Sequence, residues 1–452
     1  MSWSERLAAR NVGLLGCAFL VSLFIGVAAG VQPRIGVAAA LGVTFAIAVV
    51  ADVTLGVFLF TVLSFLETIN AGSGAVSFIK IAGLILFLSW FAAQATRSQQ
   101  ESRSLLASSP EVAIPVILFV SWSVISIVWA VSSGKAASST ERFLLDVLLF
   151  PIVFGALRTR EHVRWIVAAF VFGAVMSAVI GLLQSGGARL AGGIGDPDGE
   201  AALLAAAMML DLGLIATLRR GSAVRFLAIL GAAVMAIGLV DTGSRGGLVA
   251  LGAGLVAATV LGGKWRIRAV QIALVAAVLV PFYLFVLAPS AAEQHLNSSS
   301  SSGRTDLWKV GLKMLEANPI LGVGAGNFQV AEYRYVNDVG PITRADIIVD
   351  EPRVTHDTYL ELADELGVPG LLAFLAIAFG SISCALRAAR LFERAGDQAY
   401  GLLARMLALG LIAQLTADIF ITNEYEHLLW VLLALPPAML AVARSETRAL
   451  AR

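Results

Sequence analysis

Apolar segments long enough to cross a bilayer follow one another from residue 11 to residue 443, with no soluble domain between them. A helix needs about 20 mostly apolar residues to span the hydrocarbon core. The chain is 58% hydrophobic and 14% charged, which is too few charges for a water-soluble domain. We therefore predict an all-α, polytopic membrane bundle of about 12 to 14 transmembrane helices. The predicted spans are 11–30, 35–51, 53–69, 75–95, 111–131, 142–157, 163–183, 200–218, 223–241, 246–262, 267–288, 367–386, 400–421 and 425–443.

Lysine and arginine cluster in alternate connections between these spans, the pattern expected when cytoplasmic loops carry the positive charge. The other short connections carry one basic residue or none. This alternation predicts that both termini lie in the cytoplasm. The clusters are Arg6 and Arg10; Arg97 and Arg103; Arg158, Arg160 and Arg164; Arg219, Arg220 and Arg225; Lys264, Arg266 and Arg268; Arg387, Arg390 and Arg394; Arg444, Arg448 and Arg452.

One long connection, residues 289–366, divides the chain into an N-terminal membrane part (1–288) and a C-terminal membrane part (367–452). The charge pattern places this connection outside the cytoplasm. The two membrane parts and the loop are predicted to form one integral membrane unit.

The long loop is predicted to contain short helices. After a serine-rich stretch, 297–303, residues Thr305–Ala317 have the spacing of an amphipathic helix that ends at Asn318-Pro319. A glycine run, 322–326, indicates a tight turn, because no strand precedes it as in a dinucleotide-binding motif. A second helix begins near His356, and we expect its acidic early turns to lie in water or in a polar cavity.

Three arginines and a histidine lie on the exterior side, where basic residues are least expected: Arg189, Arg245, Arg304 and His356. Arg189 and Arg245 have small neighbours, which let a polyanion approach the guanidinium closely. The planar fork of arginine binds phosphate in two places, so a diphosphate is a suitable ligand. The alternative is that these arginines contact lipid phosphates or pair with an acid such as Asp241 or Asp306.

His356 suits proton transfer, because an imidazole with an ordinary pKa near 6.5 can accept a proton from a hydroxyl. We interpret His162 and His295 as structural, and His427, flanked by Glu424 and Glu426, as a weaker candidate. No metal-ligand spacing is present, and Cys17 and Cys384 lie in apolar runs. We therefore predict no cofactor and no metal, and nothing in the sequence supports nucleic-acid binding.

Four elements resemble the O-antigen ligase and O-antigen polymerase superfamily of bacterial envelope glycan transferases. In chain order they cover residues 189 to about 380. They are the Arg-Gly loop from Arg189 to Asp198, the Ser-Arg-Gly helix entry from Ser244 to Gly247, the Arg-x-x-x-Trp helix with its glycine-rich end from Arg304 to Phe328, and the His-Asp-x-Tyr-Leu run from His356 to Gly367. Where the family has Asp-Pro-Asn, this chain has Asp196-Pro197-Asp198, so an amide side chain is replaced by an acid.

The resemblance implies a membrane glycosyltransferase of the GT-C-like helical fold in the bacterial cytoplasmic membrane. It implies transfer of a glycan from a polyprenyl diphosphate carrier to an acceptor hydroxyl outside the cytoplasm, with inversion and without a metal. Arg189, Arg245 and Arg304 would hold the diphosphate, and His356 would orient or deprotonate the acceptor. Asp357 and Tyr359 are expected to contact substrate. The partners are the lipid-linked donor, a glycan or lipid acceptor, and membrane lipids.

Two other functions remain open at this point. A transporter or lipid-linked glycan flippase would place charges near the bilayer midplane. Candidates there are few and scattered: Lys80, Asp146, Asp211, Arg405 and Asp418. A scaffold in a polysaccharide assembly complex would leave the exterior arginines unexplained. Within the resemblance, the sequence separates neither ligase from polymerase nor one acceptor from another.

Overall fold

The structure, a computed structural model, describes residues 33–66, 78–96, 103–186, 188–268, 270–271, 274–275 and 303–450. The predicted span at 11–30 and most of the one at 267–288 lie outside the described residues. So do Cys17, Arg97, His295 and nearly all of the serine-rich stretch.

The described residues form helices and no strand, which confirms the predicted all-α bundle. Three 3-10 turns, Gly263–Trp265, Glu332–Arg334 and Val336–Asp338, accompany the α-helices. The α-helices are α1 (Pro33–Ala51), α2 (Val53–Ser64), α3 (Phe78–Thr96), α4 (Leu105–Ser108), α5 (Pro110–Ser126), α6 (Ser133–Val147), α7 (Leu149–Ala156), α8 (Arg160–Gln184), α9 (Pro197–Thr217), α10 (Ala223–Asp241), α11 (Arg245–Leu261), α12 (Arg304–Ala317), α13 (Phe328–Ala331), α14 (Asp346–Val349), α15 (Thr358–Arg394), α16 (Gln398–Ala417) and α17 (His427–Leu450).

Six helices of the described chain are long and apolar enough to cross a membrane: α8, α9, α10, α15, α16 and α17. Shorter apolar helices lie within α1, α2, α3, α5 and α11. This set confirms a multi-pass membrane protein. The predicted span at 142–157 differs in detail, because helix α6 starts earlier, at Ser133, where the Ser132 hydroxyl accepts a hydrogen bond from the Lys135 amide.

The centre of the bundle is built from α9, α16 and α17. Small residues let α9 and α16 approach closely, and a Cβ on Gly213 would lie 2.9 Å from the Leu403 Cα. The first turns of helix α17 are apolar on every side, and the whole run from Leu428 to Leu435 is buried. A helix that is hydrophobic all round belongs in an interior position. In contrast, α10 exposes a face of large apolar residues suited to lipid, among them Phe226 and Leu230.

Several helices begin at the same end of the bundle. Asp196 caps α9 by accepting a 2.7 Å hydrogen bond from the Gly199 amide. Ser244 caps α11 through the Gly247 amide, and Asp357 caps α15. Helix N-termini carry partial positive charge. This end of the bundle, where the predicted site residues also lie, is therefore suited to anions.

The long loop packs partly on itself. Leu307, Val310 and Met314 of α12 form a small apolar cluster with Phe328 and Ile347. The Asp306 carboxylate of α12 joins this helix to a later part of the loop, because it accepts hydrogen bonds of 2.9 and 3.0 Å from the amides of Thr343 and Arg344. The amphipathic helix predicted at 305–317 is confirmed as α12.

The glycine run serves close backbone packing. Gly322 has a positive φ of 66°, and a Cβ there would lie 2.3 Å from the Glu365 carbonyl oxygen. Gly367 has φ 68° and ψ −179° and kinks α15 at that point. The Glu365 carboxylate accepts hydrogen bonds from the amides of Gly326 (2.6 Å) and Phe328 (3.1 Å). The run is thus a turn fastened to α15, as predicted.

Candidate functional site

Arg189 and Arg304 meet on a single carboxylate, that of Asp198. Arg189 Nη2 donates to Asp198 Oδ1 at 2.7 Å, and Arg304 Nη2 donates to Asp198 Oδ2 at 2.8 Å. Asp198 lies in the first turn of α9, and Arg304 opens α12, 106 residues later. The structure therefore brings two of the three predicted arginines together, because both bind the same carboxylate.

The third arginine, Arg245, is at the neighbouring helix entry and is exposed. The residue before it, Ser244, forms a hydrogen bond with Asp198. Two residues further back, the Thr242 carbonyl accepts a 2.7 Å hydrogen bond from Arg189 Nε. The turn that carries Arg245 is thus fastened to the two paired arginines.

Arg304 keeps donor capacity for a ligand. Its side chain is only 26% exposed. Its Nε is buried and has no hydrogen-bond partner among the residues that the structure describes. A buried donor without a partner costs free energy that a bound acceptor would recover. This favours an anionic ligand at Arg304.

The two acids named as alternative partners, Asp306 and Asp241, have other contacts in the described chain. The Asp306 carboxylate is engaged by loop amides and by Lys309 at 3.1 Å. Asp241 bonds through its backbone carbonyl to the Leu190 amide. The acid that does pair, Asp198, is the one that replaces the family's asparagine.

His356 lies in the turn before α15 and has an unusual backbone conformation. Its φ is 55°, and it is the one residue other than glycine with positive φ in the described chain. This conformation costs of order 1 kcal/mol or more and needs surrounding contacts to hold it. The His356 amide donates to the Thr422 hydroxyl at 3.1 Å, and that hydroxyl donates to the buried Glu361 carboxylate at 2.5 Å. These contacts hold the backbone of His356 in this conformation.

The Arg-x-x-x-Trp motif links Arg304 to His356. Residues four apart share one face of a helix. On α12, the Trp308 indole N–H donates to the Thr355 carbonyl at 3.1 Å, next to His356. Arg304, at one end of the motif, thus belongs to the arginine pair, and Trp308, at the other end, contacts the turn that contains His356.

The surroundings of His356 keep its imidazole neutral. Burial lowers its pKa below the ordinary 6.5, and the positive charge of Arg304 lowers it further. Asp196 and Asp198 act in the opposite direction, and Arg353 lowers the pKa again. A neutral imidazole near neutral pH is able to accept a proton.

Asp357 and Tyr359, also predicted to contact substrate, make structural contacts instead of meeting the arginines. The Asp357 carboxylate accepts from the amides of Tyr359 (2.9 Å) and Leu360 (3.1 Å), as a helix cap. The Tyr359 hydroxyl donates to the Leu415 carbonyl on α16. Neither contact tests a role in substrate binding, which stays a prediction.

Acids on α15 lie buried behind the site, not in water as one reading of the sequence expected. Glu361 accepts hydrogen bonds from Thr355 and Thr422, and Glu365 holds the glycine turn. Nearby in the loop, burial raises the pKa of Glu332 to about 9, and the charge of Glu361 contributes. Sequence analysis missed Asp198, Thr422 and Glu361 as site residues, because only folding brings these separated positions together.

His427 is placed apart from the arginines. Its Nδ1 contacts the buried Asp146 carboxylate of α6. Close by, the Arg142 guanidinium lies 4.3 Å from the centre of the Tyr425 ring. Within the part of the chain that the structure describes, no group of three or more His, Cys, Asp or Glu side chains is arranged to hold a metal ion.

Comparison with known families agrees with the motif region. A family model described as O-antigen ligase matches residues 230–375, about a third of the chain. The match includes Arg245, Arg304 and His356 and begins after Arg189. No curated protein matches the sequence.

Proposed function

We propose that this chain transfers a glycan from a polyprenyl diphosphate carrier to an acceptor hydroxyl, because residues 230–375 match the family model described as O-antigen ligase. The observation that carries the proposal is the pair Arg189 and Arg304 on one carboxylate, beside a histidine whose imidazole is kept neutral. The coarser activity, glycan transfer by a multi-pass membrane protein, follows from the family match and the helices.

The proposed reaction is a displacement at the anomeric carbon. The acceptor oxygen forms a bond to that carbon while the bond from the carbon to the diphosphate oxygen breaks. The electron pair leaves with the diphosphate, and the acceptor proton goes to His356. One displacement at one carbon inverts its configuration.

In this proposal the positive charge of the arginines makes the largest contribution to the acceleration of glycan transfer. The diphosphate gains negative charge as it leaves, and cations already in position stabilise that charge without reorganising. In this proposal Arg189 and Arg304, which meet on Asp198, bind the phosphates, and Arg245 at the adjacent helix entry assists them. Guanidinium groups take the role that a divalent ion has in other diphosphate sites, so we propose that transfer is independent of metal.

In this proposal the diphosphate takes the place of the Asp198 carboxylate as the acceptor for Arg189 and Arg304. A carboxylate that accepts from two arginines offers them anionic acceptor oxygens, as a diphosphate would with more charge. Donor binding would exchange this internal anion for the lipid-linked one, and the arginines would stay in place.

The test is transfer by purified, reconstituted full-length protein given an undecaprenyl-diphosphate oligosaccharide and an acceptor panel. His356→Asn keeps a residue that tolerates positive φ and removes the base. We expect a loss of roughly 10²- to 10⁴-fold, as for removal of a general base. Arg304→Gln should lower the rate by roughly 10²- to 10³-fold, by analogy with loss of a charge-stabilising donor.

Lys313→Gln is the matched control, since it removes an exposed positive charge from the same helix. The control should transfer at the wild-type rate. Normal transfer by both His356→Asn and Arg304→Gln would show that the site is wrong. Loss of transfer in chelator would refute metal independence. Movement of the donor across vesicles with no transferred product would favour the flippase alternative.

A further inference from the structure

A deep apolar cleft lies at the end of the bundle opposite to the arginine pair. It is formed by the last turns of α9 and α11 and the first turns of α16, and its volume is about 410 Å³. Leu212, Leu255, Leu402 and Met406 line its interior. We call it the arginine-rimmed cleft, because Arg220, Arg225 and Arg268 stand around its mouth.

Among the residues that the structure describes, the rim arginines have no acidic partner. No acidic side chain of this part of the chain lines the cleft, and none of its salt bridges involves Arg220, Arg225 or Arg268. Acids at the same end are paired elsewhere, Asp397 with Arg160 at 2.8 Å and Glu393 with Arg405 at 2.6 Å. The cleft therefore has three positive charges that an external anion is free to neutralise.

The rim is held in position by neutral contacts. An Nη1 of Arg225 donates to the carbonyls of Ile215 (3.0 Å) and Leu218 (3.2 Å) at the end of α9. The Arg268 guanidinium lies 4.1 Å from the centre of the Trp265 ring. Tryptophan is enriched where hydrocarbon meets headgroups. A tryptophan beside basic residues at the ends of membrane helices is the arrangement expected at headgroup depth, which would put the apolar interior of the cleft at the depth of acyl chains.

We propose that the arginine-rimmed cleft binds an anionic glycerophospholipid of the leaflet opposite to the arginine pair. The phosphate lies among Arg220, Arg225 and Arg268, and an acyl chain fills the apolar interior. Basic pockets between transmembrane helices recognise anionic headgroups in this way. The complementarity is twofold, since a free phosphate would leave the interior empty and a neutral phospholipid would leave the rim charges uncompensated.

The test uses delipidated full-length protein in neutral detergent and native mass spectrometry. Phosphatidylglycerol and phosphatidylcholine with identical acyl chains are the probes, and inorganic phosphate is a competitor. We expect one phosphatidylglycerol to bind at lower concentration than phosphatidylcholine. The variant R220Q/R225Q/R268Q should weaken phosphatidylglycerol binding by roughly 100-fold, since each of the three basic residues near the headgroup contributes about 1 kcal/mol.

The matched control is R390Q/R394Q/R448Q, which removes three exposed positive charges from the same end, outside the cleft. It should bind as wild type does. Ala399→Phe fills the cleft mouth without changing charge and should weaken both lipids. If Arg225→Gln impairs folding, R220Q/R268Q repeats the measurement.

Equal affinity for the two lipids, or equal weakening by the control, would overturn the proposal. So would inorganic phosphate displacing the lipid at matched concentration. No glycan enters this measurement, so its outcome is independent of the proposed transferase activity.

Discussion

Asp198 affects both the arginines that it binds and the pKa of His356. Arg189 and Arg304, which the sequence analysis assigned to a diphosphate, both donate to this carboxylate, with hydrogen bonds of 2.7 and 2.8 Å. The same acid acts on His356, raising its pKa against the lowering by burial and by Arg304. Charge at a single position thus affects both the proposed anion site and the proposed base.

The balance of charges around His356 predicts the pH dependence of transfer. Activity that needs a neutral imidazole falls as the pH drops through the pKa of His356, which lies below 6.5. Arg353→Gln removes a positive charge that lowers this pKa, so the acid limb should move to higher pH. Asp198→Asn removes a charge that raises it, so the limb should move to lower pH.

The measurement is the rate of glycan transfer against pH under saturating donor for wild type and both variants. Lys313→Gln, distant from His356 on the outer face of α12, should leave the profile in place. Shifts of both variants in one direction would contradict the assigned role of His356, whatever the change in maximal rate.

At the scale of the element, the kink of α15 decides where the site residues lie. The helix turns at Gly367, so that its first turns carry the acids behind His356 and its later turns cross the bundle. A Cβ on Gly367 would lie 2.1 Å from the Ile320 carbonyl oxygen. The glycine is needed for both its positive φ and this close approach.

Gly367→Ala should therefore destabilise the protein. Strain at a φ of 68° costs about 1 to 3 kcal/mol, and the backbone clash adds to it. We expect a lower thermal midpoint in detergent and reduced transfer. Gly252→Ala is the control, because nothing lies within 4 Å of a Cβ built there in helix α11. An unchanged midpoint for Gly367→Ala would show that the turn tolerates a side chain.

At the scale of the whole molecule, the arginine pair and the arginine-rimmed cleft lie at opposite ends of the same helices. Helix α9 starts beside the pair and ends at the cleft, and α11 does the same. The charge pattern of the sequence predicts that the first end faces outward and the second faces the cytoplasm.

This orientation is testable by cysteine labelling in intact cells. In a background with Cys17 and Cys384 replaced by alanine, Lys313→Cys should react with a membrane-impermeant maleimide. Arg394→Cys, at the other end of the bundle, should react only after the cells are opened. The Lys313 side chain is 42% exposed and Arg394 is exposed, so a thiol at either position is accessible in the folded protein. The reverse labelling pattern would invert the predicted topology.

The sequence by itself determined the class of fold and the types of residue at the site. Runs of apolar residues dictate helices in a membrane, because every backbone polar group there must bond within its own segment. Arg304, His356 and the α12 helix stood out for the same local reasons, of spacing and of charge on an unexpected side. The glycine turn was likewise predicted from residues adjacent in the chain.

The tertiary structure alone decided which of these residues act together. Arg189 and Arg304 meet across more than a hundred residues through Asp198, and Thr422 reaches His356 from a later loop. Asp357 was grouped with the site by its place in the motif, yet its carboxylate caps a helix. Periodicity reports only neighbours within a few turns, whereas contacts between distant segments depend on how helices pack. The pairing of charges, and therefore the chemistry of the site, is settled by that packing.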